Sequence, residues 1–360
     1  MEKEIQFKIK FITPLLLHGA DPRQVDALGL AKALRGEWRF WFRAIAGGIL
    51  YDYASPVGEL SKGVYEQECR VFGSADDKVG AKFRMLVEPV SVSQPKKPFL
   101  MRFSRTVPFQ GFDPGATFNV TVQPRVRVGF ERNALLSSIW LWANLGAIGQ
   151  RARRGFGSPV ILEESKDVFK EASFEVKESF ESREALEEHL KASIEKCWAI
   201  IDSMEKRGVP MANDAPKNAP FFILKSLKQV AVGDSSEASV QDLLQRMHGS
   251  DSCQDLGWAN LKWLEGYARK YQITFSSPQR MASPICLRVC NVGEGLTPLA
   301  VWCKQQVSLK IMKGGQEQNS LEGTIPSSVC LRSYLTGAPW PGGISFPGLS
   351  FHNTISGDSI

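Results

Sequence analysis

A segment near the middle of the chain constrains the fold more than any other feature. From Asn133 to Ile148 it reads NALLSSIWLWANLGAI, with apolar side chains almost all the way round a helix. A helix on the surface of a domain has one apolar stripe, whereas a helix that is apolar on every side is buried. The segment therefore predicts a helix enclosed on more than one side, as expected between two domains.

The elements predicted around this helix in the first half of the chain indicate the fold class. Polar and apolar side chains alternate at the start of the chain and again before the apolar helix, which is the period of half-buried strands. The predicted order is a strand at 4–12, a helix at about 26–49, strands at about 82–90, 99–108 and 116–124, the apolar helix, and a strand at 159–162. This order predicts an α+β sandwich of the ferredoxin-like kind.

The second half is predicted to form another α+β domain. A chain of 360 residues is too long for one ordinary compact domain and suits two. The charged stretch Glu163–Lys170 is interpreted as the boundary, which gives domains at 1–163 and 164–360. The predicted elements are a helix at about 180–206 and strands at 220–231, 271–276, 284–292 and 296–304, followed by a final twenty residues without regular structure. We expect two tandem ferredoxin-like, RRM-related domains.

Charge is distributed unevenly along the chain. Residues 1–159 contain 9 Lys and 14 Arg against 8 Glu and 6 Asp, a net charge of +9, whereas the whole chain carries +6. Arginine predominates in the basic half, and its planar guanidinium suits bidentate contacts with phosphate. The asymmetry favours a polyanionic partner such as nucleic acid. An uneven but merely solvated surface is the alternative.

Three arginines on the first helix form one candidate site. Arg35, Arg39 and Arg43 recur every four residues, so they share one helical face at intervals of about 6 Å. That interval is close to the phosphate repeat of an extended single strand. Trp38 and Trp41 lie on another face and are predicted to belong to the core. The alternative is an amphipathic helix with a solvated basic edge.

The second candidate site is the glycine-rich loop that follows the apolar helix. Glycine permits positive φ and close approach of the backbone, so successive N–H groups can point at one anion, while the arginines of the loop supply charge. The predicted RNA-binding residues of this loop are Gln150, Arg151, Arg153, Arg154, Gly155 and Gly157. The loop is not a phosphate-binding Walker motif, because it follows a helix and no Gly-Lys-Ser/Thr ends it. A helix cap and turn would explain the glycines but not the arginines.

Isolated residues elsewhere complete the predicted RNA site. His18 follows the first strand and is interpreted as an RNA-contacting or structural histidine rather than a catalytic one. Arg125 and Arg127 add charge beside a strand, and Arg280 adds charge in the second half.

Neither a cofactor, a metal nor a membrane is expected. The seven cysteines are scattered, which is typical of reduced thiols in a cytoplasmic protein, and no catalytic residues are predicted. No apolar run approaches the length of about 18 residues that spans a bilayer. The charged N-terminus does not have the pattern of a signal peptide.

Several motifs together resemble the RAMP superfamily of CRISPR-associated proteins. The later motif Gln279–Pro284 extends the resemblance to about residue 305, and the series is similar to the first subunits of type III-B, or Cmr, CRISPR complexes. The glycine-rich loop alone indicates the superfamily, and its combination with the tryptophan-rich arginine helix is more specific. The remaining motifs that carry the resemblance are Thr13-Pro14-Leu15, His18-Gly19-Ala20-Asp21, Arg35–Arg43, Phe72-Gly73-Ser74 and Gly149–Ser158.

The resemblance implies a non-catalytic subunit that binds CRISPR RNA or its target RNA and assembles with other Cmr subunits. It also implies two ferredoxin-like domains, and contacts with the RNA backbone rather than with particular bases. Two other functions stay open from the residues themselves. One is a metal-independent endoribonuclease that matures CRISPR RNA with His18 as catalyst, and the other is a subunit whose arginines bridge acidic protein neighbours.

Overall fold

A computed structural model shows how these segments fold. It describes residues 3–19, 24–51, 57–74, 80–93, 99–102, 106–125, 129–204, 221–233, 237–248, 272–277, 285–303, 305–313, 316–325 and 351–354.

The first half forms a ferredoxin-like unit. Its elements are β1 (Ile5–Phe11), α1 (Leu30–Leu50), α2 (Val57–Phe72), β2 (Phe83–Ser91), β3 (Phe99–Arg102), β4 (Thr106–Phe109), β5 (Thr117–Pro124), α3 (Arg132–Leu145) and β6 (Pro159–Ile161). The strand order β2-β5-β1-β6 is fully antiparallel and corresponds to the split βαβ arrangement that was predicted. The pair β3-β4 forms a separate hairpin.

Alternation along β1 decides which face of this sheet is covered. Ile5, Phe7, Ile9 and Phe11 are buried under the helices, while the residues between them face outward. Trp38 of α1 lies on the covered face, 6.2 Å from the Phe7 ring. The prediction of a half-buried first strand is therefore confirmed.

Helix α3 is enclosed as its sequence predicts. It contacts α1 on one side, α5 (Arg183–Asp202) on another, and the strands β9 (Ile285–Val292) and β10 (Gly295–Trp302) of the second half. Trp140 and Trp142 are completely buried. The two halves share one apolar core around this helix.

The second half repeats the strand order of the first. Its further elements are α4 (Lys166–Lys170), β7 (Val230–Gly233), α6 (Val240–His248), β8 (Gln272–Ser277), β11 (Gln305–Lys313), β12 (Gln316–Ile325) and β13 (Phe351–Thr354), with short 3-10 helices at Glu163–Ser165 and Leu227–Gln229. The sheet β13-β7-β10-β9 places its strands in the sequence fourth, first, third, second, as does β6-β1-β5-β2. The prediction of two ferredoxin-like units is therefore confirmed, and β12-β11-β8 forms an additional sheet.

Several predicted elements of this half differ from the structure. The strand predicted at 220–231 begins at Val230, and the last twenty residues include the strand β13, which pairs with β7. The helices α4 and α6 and the strands β11 and β12 of this half were not predicted, and neither was helix α2 of the first half. An edge strand such as β13 is defined by its partner, which local periodicity does not reveal.

The charged stretch 163–170 packs against the first sheet instead of forming an exposed spacer. Phe169 is fully buried, with its ring 5.5 Å from that of Phe7. Ser165 accepts a hydrogen bond from the Lys8 N–H at 2.9 Å. The apolar contact was hidden because Val168 and Phe169 are a short apolar pair among charged residues. The boundary at residue 163 itself stays a prediction.

No helix in the described part of the chain is long and apolar enough to cross a membrane. The same residues contain no cluster of His, Cys, Asp and Glu that could hold a metal ion.

Candidate nucleic-acid interface

The glycine-rich loop is held against the segment that follows β1. The Gln150 N–H donates to the Leu16 carbonyl at 2.8 Å, and the Gly157 N–H donates to the Pro14 carbonyl at 2.9 Å. Gly157 has a φ of +64°, in the left-handed region that favours glycine. These bonds hold both ends of the loop against residues 14–16, so the loop follows one backbone path that runs antiparallel to that segment.

Side-chain hydrogen bonds of Thr13 and Ser158 hold the end of the loop in place. The Thr13 hydroxyl donates to the Gly155 carbonyl at 2.7 Å, and its oxygen accepts the Ser158 N–H at 2.9 Å. The Ser158 hydroxyl donates to the same Gly155 carbonyl at 2.9 Å. These residues are buried, and buried polar groups without such partners would cost stability.

The second domain closes the loop from the other side. Leu287 of β9 donates its N–H to the Arg153 carbonyl at 3.1 Å and accepts the Gly155 N–H at 3.1 Å. Arg154 lies beside Leu287 in a parallel bridge. The loop is thus a shared element between the two domains.

These contacts correct the expected role of the loop glycines. The N–H groups of Gly155 and Gly157 donate to Leu287 and Pro14, so they are not directed together at an anion. The glycines supply conformation and close packing. The side chains of Arg151, Arg153 and Arg154 in this loop are all half-exposed.

Arg153 connects the loop to α1. Its guanidinium carbon lies 5.2 Å from the centroid of the Phe40 ring, within cation–π distance. Glu37, one turn earlier, is close enough for Arg153 to lower the pKa of its carboxyl. Burial outweighs that effect and raises the pKa of Glu37 to about 7.

The helix arginines contact a carboxylate that the sequence analysis did not identify. Glu68 of α2 lies 3.1 Å from Arg39 Nη1 and 3.6 Å from Arg43 Nε, with its side chain 5% exposed. Burial raises the pKa of Glu68, and Arg43 and Arg39 oppose this rise. Arg39 also donates to the Gly73 carbonyl at 2.7 Å. The predicted helical face exists, but it is partly used to hold α2.

Arg125 lies close enough to Arg35 for its charge to affect the pKa of Arg35. Arg35 donates to the Phe83 carbonyl at 3.0 Å and stacks 4.6 Å from that ring centroid. Burial lowers the pKa of Arg35, and the charges of Arg39 and Arg125 lower it further. Arg125 is exposed at the end of β5.

The two basic groups lie on different flanks of α1. Residues three or four apart share a helical face, whereas residues one or two apart point in different directions. Phe40 and Glu37 therefore face the loop arginine, and Arg35, Arg39 and Arg43 face α2 and β2. The contacts define a basic helix flank and a separate arginine loop.

His18 lies beside the arginine loop. It is half-buried and forms a backbone bridge with Val25. Two residues earlier, Leu16 accepts the Gln150 N–H. The predicted residues Arg127 and Arg280 lie outside the described part of the chain.

Two residues that organise these sites were missed from sequence. Glu68 lies on α2, which was not predicted, so its position opposite Arg39 and Arg43 could not be inferred. Arg288 lies in a strand that is buried along almost its whole length, and the sequence analysis did not single it out. A charged residue inside such an apolar strand is a usable signal, because an arginine there needs specific partners.

The first domain, with the arginine loop, is similar to a known protein family. The RAMP superfamily matches residues 8–160, which contain the first sheet and the arginine loop. The resemblance to this superfamily is therefore confirmed over the first domain.

More specific similarity is to Cmr subunits. The chain is 27% identical over 317 residues to CRISPR system Cmr subunit Cmr1-1 of Pyrococcus furiosus, covering 80% of this chain and 83% of that protein. It is also 27% identical over 185 residues to Cmr1-2 of the same organism, covering 43% of this chain and 93% of that protein. This similarity confirms the expected resemblance to the first Cmr subunit.

Solved structures confirm the fold. The crystal structure of apo Cmr1 from Pyrococcus furiosus has a TM-score of 0.52 at 18% identity, covering 88% of this chain and 90% of that chain. A chain of the type III-B Cmr-beta complex bound to cognate target RNA and AMPPnP has a TM-score of 0.54 at 13% identity, covering 82% and 93% respectively. Both likenesses extend across the two domains.

Proposed function

We propose that this chain is a non-catalytic RNA-binding subunit of a type III-B CRISPR effector complex. It contacts the backbone of CRISPR RNA or its target RNA and assembles with other Cmr subunits. The names of its relatives support this assignment, since they are Cmr1 subunits. A similar fold occurs in a Cmr complex bound to target RNA.

The observation that carries the proposal is the arginine loop. Arg151, Arg153 and Arg154 project from a backbone that hydrogen bonds hold on both sides. A preorganised loop loses little conformational entropy when its side chains meet phosphates. Guanidinium groups then contribute charge-assisted, bidentate hydrogen bonds. Such contacts read the backbone and carry little sequence information.

The contacts of the basic helix flank favour a role other than RNA binding for Arg39 and Arg43. Arg39 and Arg43 share the buried carboxylate of Glu68, so part of their charge is balanced inside the protein. Arg43 still has 48% of its side chain exposed. A protein-bridging role for this flank is the second candidate, and it is separable from the loop by mutation.

The salt dependence of RNA binding tests the loop. We compare wild type with the triple variant Arg151→Ala, Arg153→Ala, Arg154→Ala, using single-stranded RNA at several salt concentrations. Each lost phosphate contact should make the slope of log affinity against log salt shallower by about 0.7, so three contacts predict a change of about 2. The triple variant should stay folded, with the loss of the Arg153–Phe40 contact costing about 0.5–1 kcal/mol.

The matched control removes the same charge elsewhere. Lys170→Ala, Lys191→Ala and Lys228→Ala together delete three exposed cations from the second half. This control should keep the wild-type slope. If the loop variant binds RNA as wild type does, the loop arginines serve a protein neighbour and the RNA-binding proposal is wrong.

Incubation with repeat RNA in EDTA separates the proposal from the endoribonuclease alternative. A non-catalytic subunit leaves the RNA intact, whereas a metal-independent nuclease cleaves it at defined positions. If cleavage occurs and His18→Ala abolishes it while RNA binding persists, the protein is an enzyme with His18 as its catalyst.

A further inference from the structure

We propose that Arg288 of the second domain is the positioning residue for the arginine loop, so that the RNA contact of the first domain depends on β9. This inference rests on the proposed function, because it concerns the same loop. It gives the second domain a role in RNA binding that needs no RNA site of its own.

Arg288 joins both ends of the segment that carries the loop. Its guanidinium donates to the carbonyl of Ala143 through Nη1 and to the carbonyl of Pro159 through Nη2, the latter at 2.8 Å. Ala143 lies in the last turn of α3, and Pro159 is the first residue of β6. The Arg288 side chain therefore connects the end of α3 to the start of β6, and the arginine loop runs between these two elements.

The environment of Arg288 is unusual for a structural arginine. It is 3% exposed, and it forms hydrogen bonds with backbone carbonyls, including that of Val289 at 3.2 Å from Nε, and with the Cys290 side chain. The carbonyls of the last helical turn have no partners within their helix and carry partial negative charge. A cation at this end of α3 satisfies such a carbonyl. Burial lowers the pKa of Arg288, and the neighbouring Cys290 opposes that shift.

The residues on either side of Arg288 also hold the loop. Leu287 exchanges hydrogen bonds with Arg153 and Gly155, and the Val289 N–H donates to the Ser158 hydroxyl at 3.0 Å. Three successive residues of β9, namely Leu287, Arg288 and Val289, therefore form hydrogen bonds with the loop or with the residues at its ends.

Helix α6 of the second domain closes the remaining space above the loop. A Cβ atom added to Gly155 would lie 2.6 Å from Met247 Cε and 3.2 Å from Leu244 Cδ2. The loop thus meets the second domain through both backbone and side-chain contacts. The shape of the loop therefore depends on contacts from both domains.

The test replaces Arg288 with methionine in the full chain. Arg288→Met keeps the unbranched apolar part of the side chain but removes the guanidinium, and with it the hydrogen bonds to Ala143 and Pro159. The fraction of active protein is first measured by stoichiometric titration, so that affinity and salt slope refer to folded molecules. We expect RNA affinity to fall by about tenfold or more, with a slope shallower by up to about 2, as for the triple loop variant.

Amide hydrogen exchange gives a readout that does not depend on RNA. The Gly155 N–H, which donates to Leu287, should exchange faster in Arg288→Met, while amides in the middle of α1 keep their protection. Lys191→Met is the control, since it removes one exposed cation from the same domain. It should leave both loop exchange and the salt slope unchanged.

If Arg288→Met does not fold, the milder variant Ser158→Ala tests whether RNA binding by the loop depends on β9. It deletes the hydroxyl that joins Gly155 to Val289 but leaves the core intact. We expect RNA affinity to fall and the Gly155 N–H to exchange faster, both by less than in Arg288→Met.

The outcomes separate this inference from the proposed function. If the folded variant keeps the wild-type affinity, slope and loop exchange while the triple arginine variant loses RNA, Arg288 is not a positioning residue and the RNA-binding proposal stands. If the triple arginine variant itself binds RNA normally, the proposed function fails, and the inference fails with it.

Discussion

The close packing of Gly157 leads to a quantitative prediction about the loop. Its φ of +64° lies in the left-handed region, and a Cβ atom there would lie 2.0 Å from the Ile148 carbonyl oxygen. That oxygen belongs to the backbone and cannot rotate away as a side chain would. Gly157→Ala should therefore disturb the hydrogen bonds of Gly157 with Ile148 and Pro14.

Comparison with two other glycines separates the contributions. Gly115 has a φ of +96° but open space around its missing Cβ, so Gly115→Ala should cost about 1 kcal/mol from backbone strain alone. Gly36 has an ordinary φ within α1 and open space, so Gly36→Ala should stabilise the protein by about 1 kcal/mol. Gly157→Ala combines strain, a backbone clash and lost hydrogen bonds, and should cost about 4 kcal/mol or more.

Urea denaturation of the three variants measures these free energies of unfolding. The expected order of stability is Gly36→Ala, wild type, Gly115→Ala and then Gly157→Ala. If Gly157→Ala lies within about 0.5 kcal/mol of Gly115→Ala, the close approach of the Ile148 carbonyl is wrong, and with it the argument that the loop has a single backbone path.

Three other predictions concern the core, pH and catalysis. Trp38→Ala should cost about 3–5 kcal/mol because the ring is completely buried, whereas Leu28→Ala, at a residue that is 91% exposed, should melt near wild type. Because burial raises the pKa of Glu37 to about 7 from 4.5, the folded protein holds a proton that the unfolded chain releases, and the free energy of unfolding should fall as pH rises through this window. Glu37→Gln should remove that fall in urea denaturation between pH 5 and 8, and the exposed control Glu88→Gln should keep it. His18→Ala should leave RNA cleavage by the assembled complex intact, and a loss of about 100-fold with binding preserved would contradict the non-catalytic assignment.

Local sequence patterns predicted much of the first domain. The alternation in β1 and the apolar surface of α3 indicate which faces are buried, because the side-chain pattern that predicts burial lies within each element. Trp38 and Trp41 were predicted as core residues for the same reason, and both are buried. The predicted positions of Arg35, Arg39 and Arg43 on one flank also follow from helical spacing alone.

The partners of these elements could not be predicted in the same way. The neighbour of Arg39 and Arg43 is Glu68, which lies on a helix that the sequence analysis did not include. The strand β13 exists because it pairs with β7, more than a hundred residues earlier. Contacts between distant segments depend on how the chain packs, and no periodicity within either segment encodes them.

The sequence by itself determined the fold class, the buried helix α3, the basic character of the first half and the resemblance to the RAMP superfamily. Each of these depends on side-chain type and spacing along a single segment. Tertiary structure alone decided that the loop N–H groups of Gly155 and Gly157 are used within the protein, and that β9 of the other domain forms one wall of the loop. The physical reason is that every buried backbone donor must find an acceptor, and which carbonyl it finds is settled only when the two domains pack together.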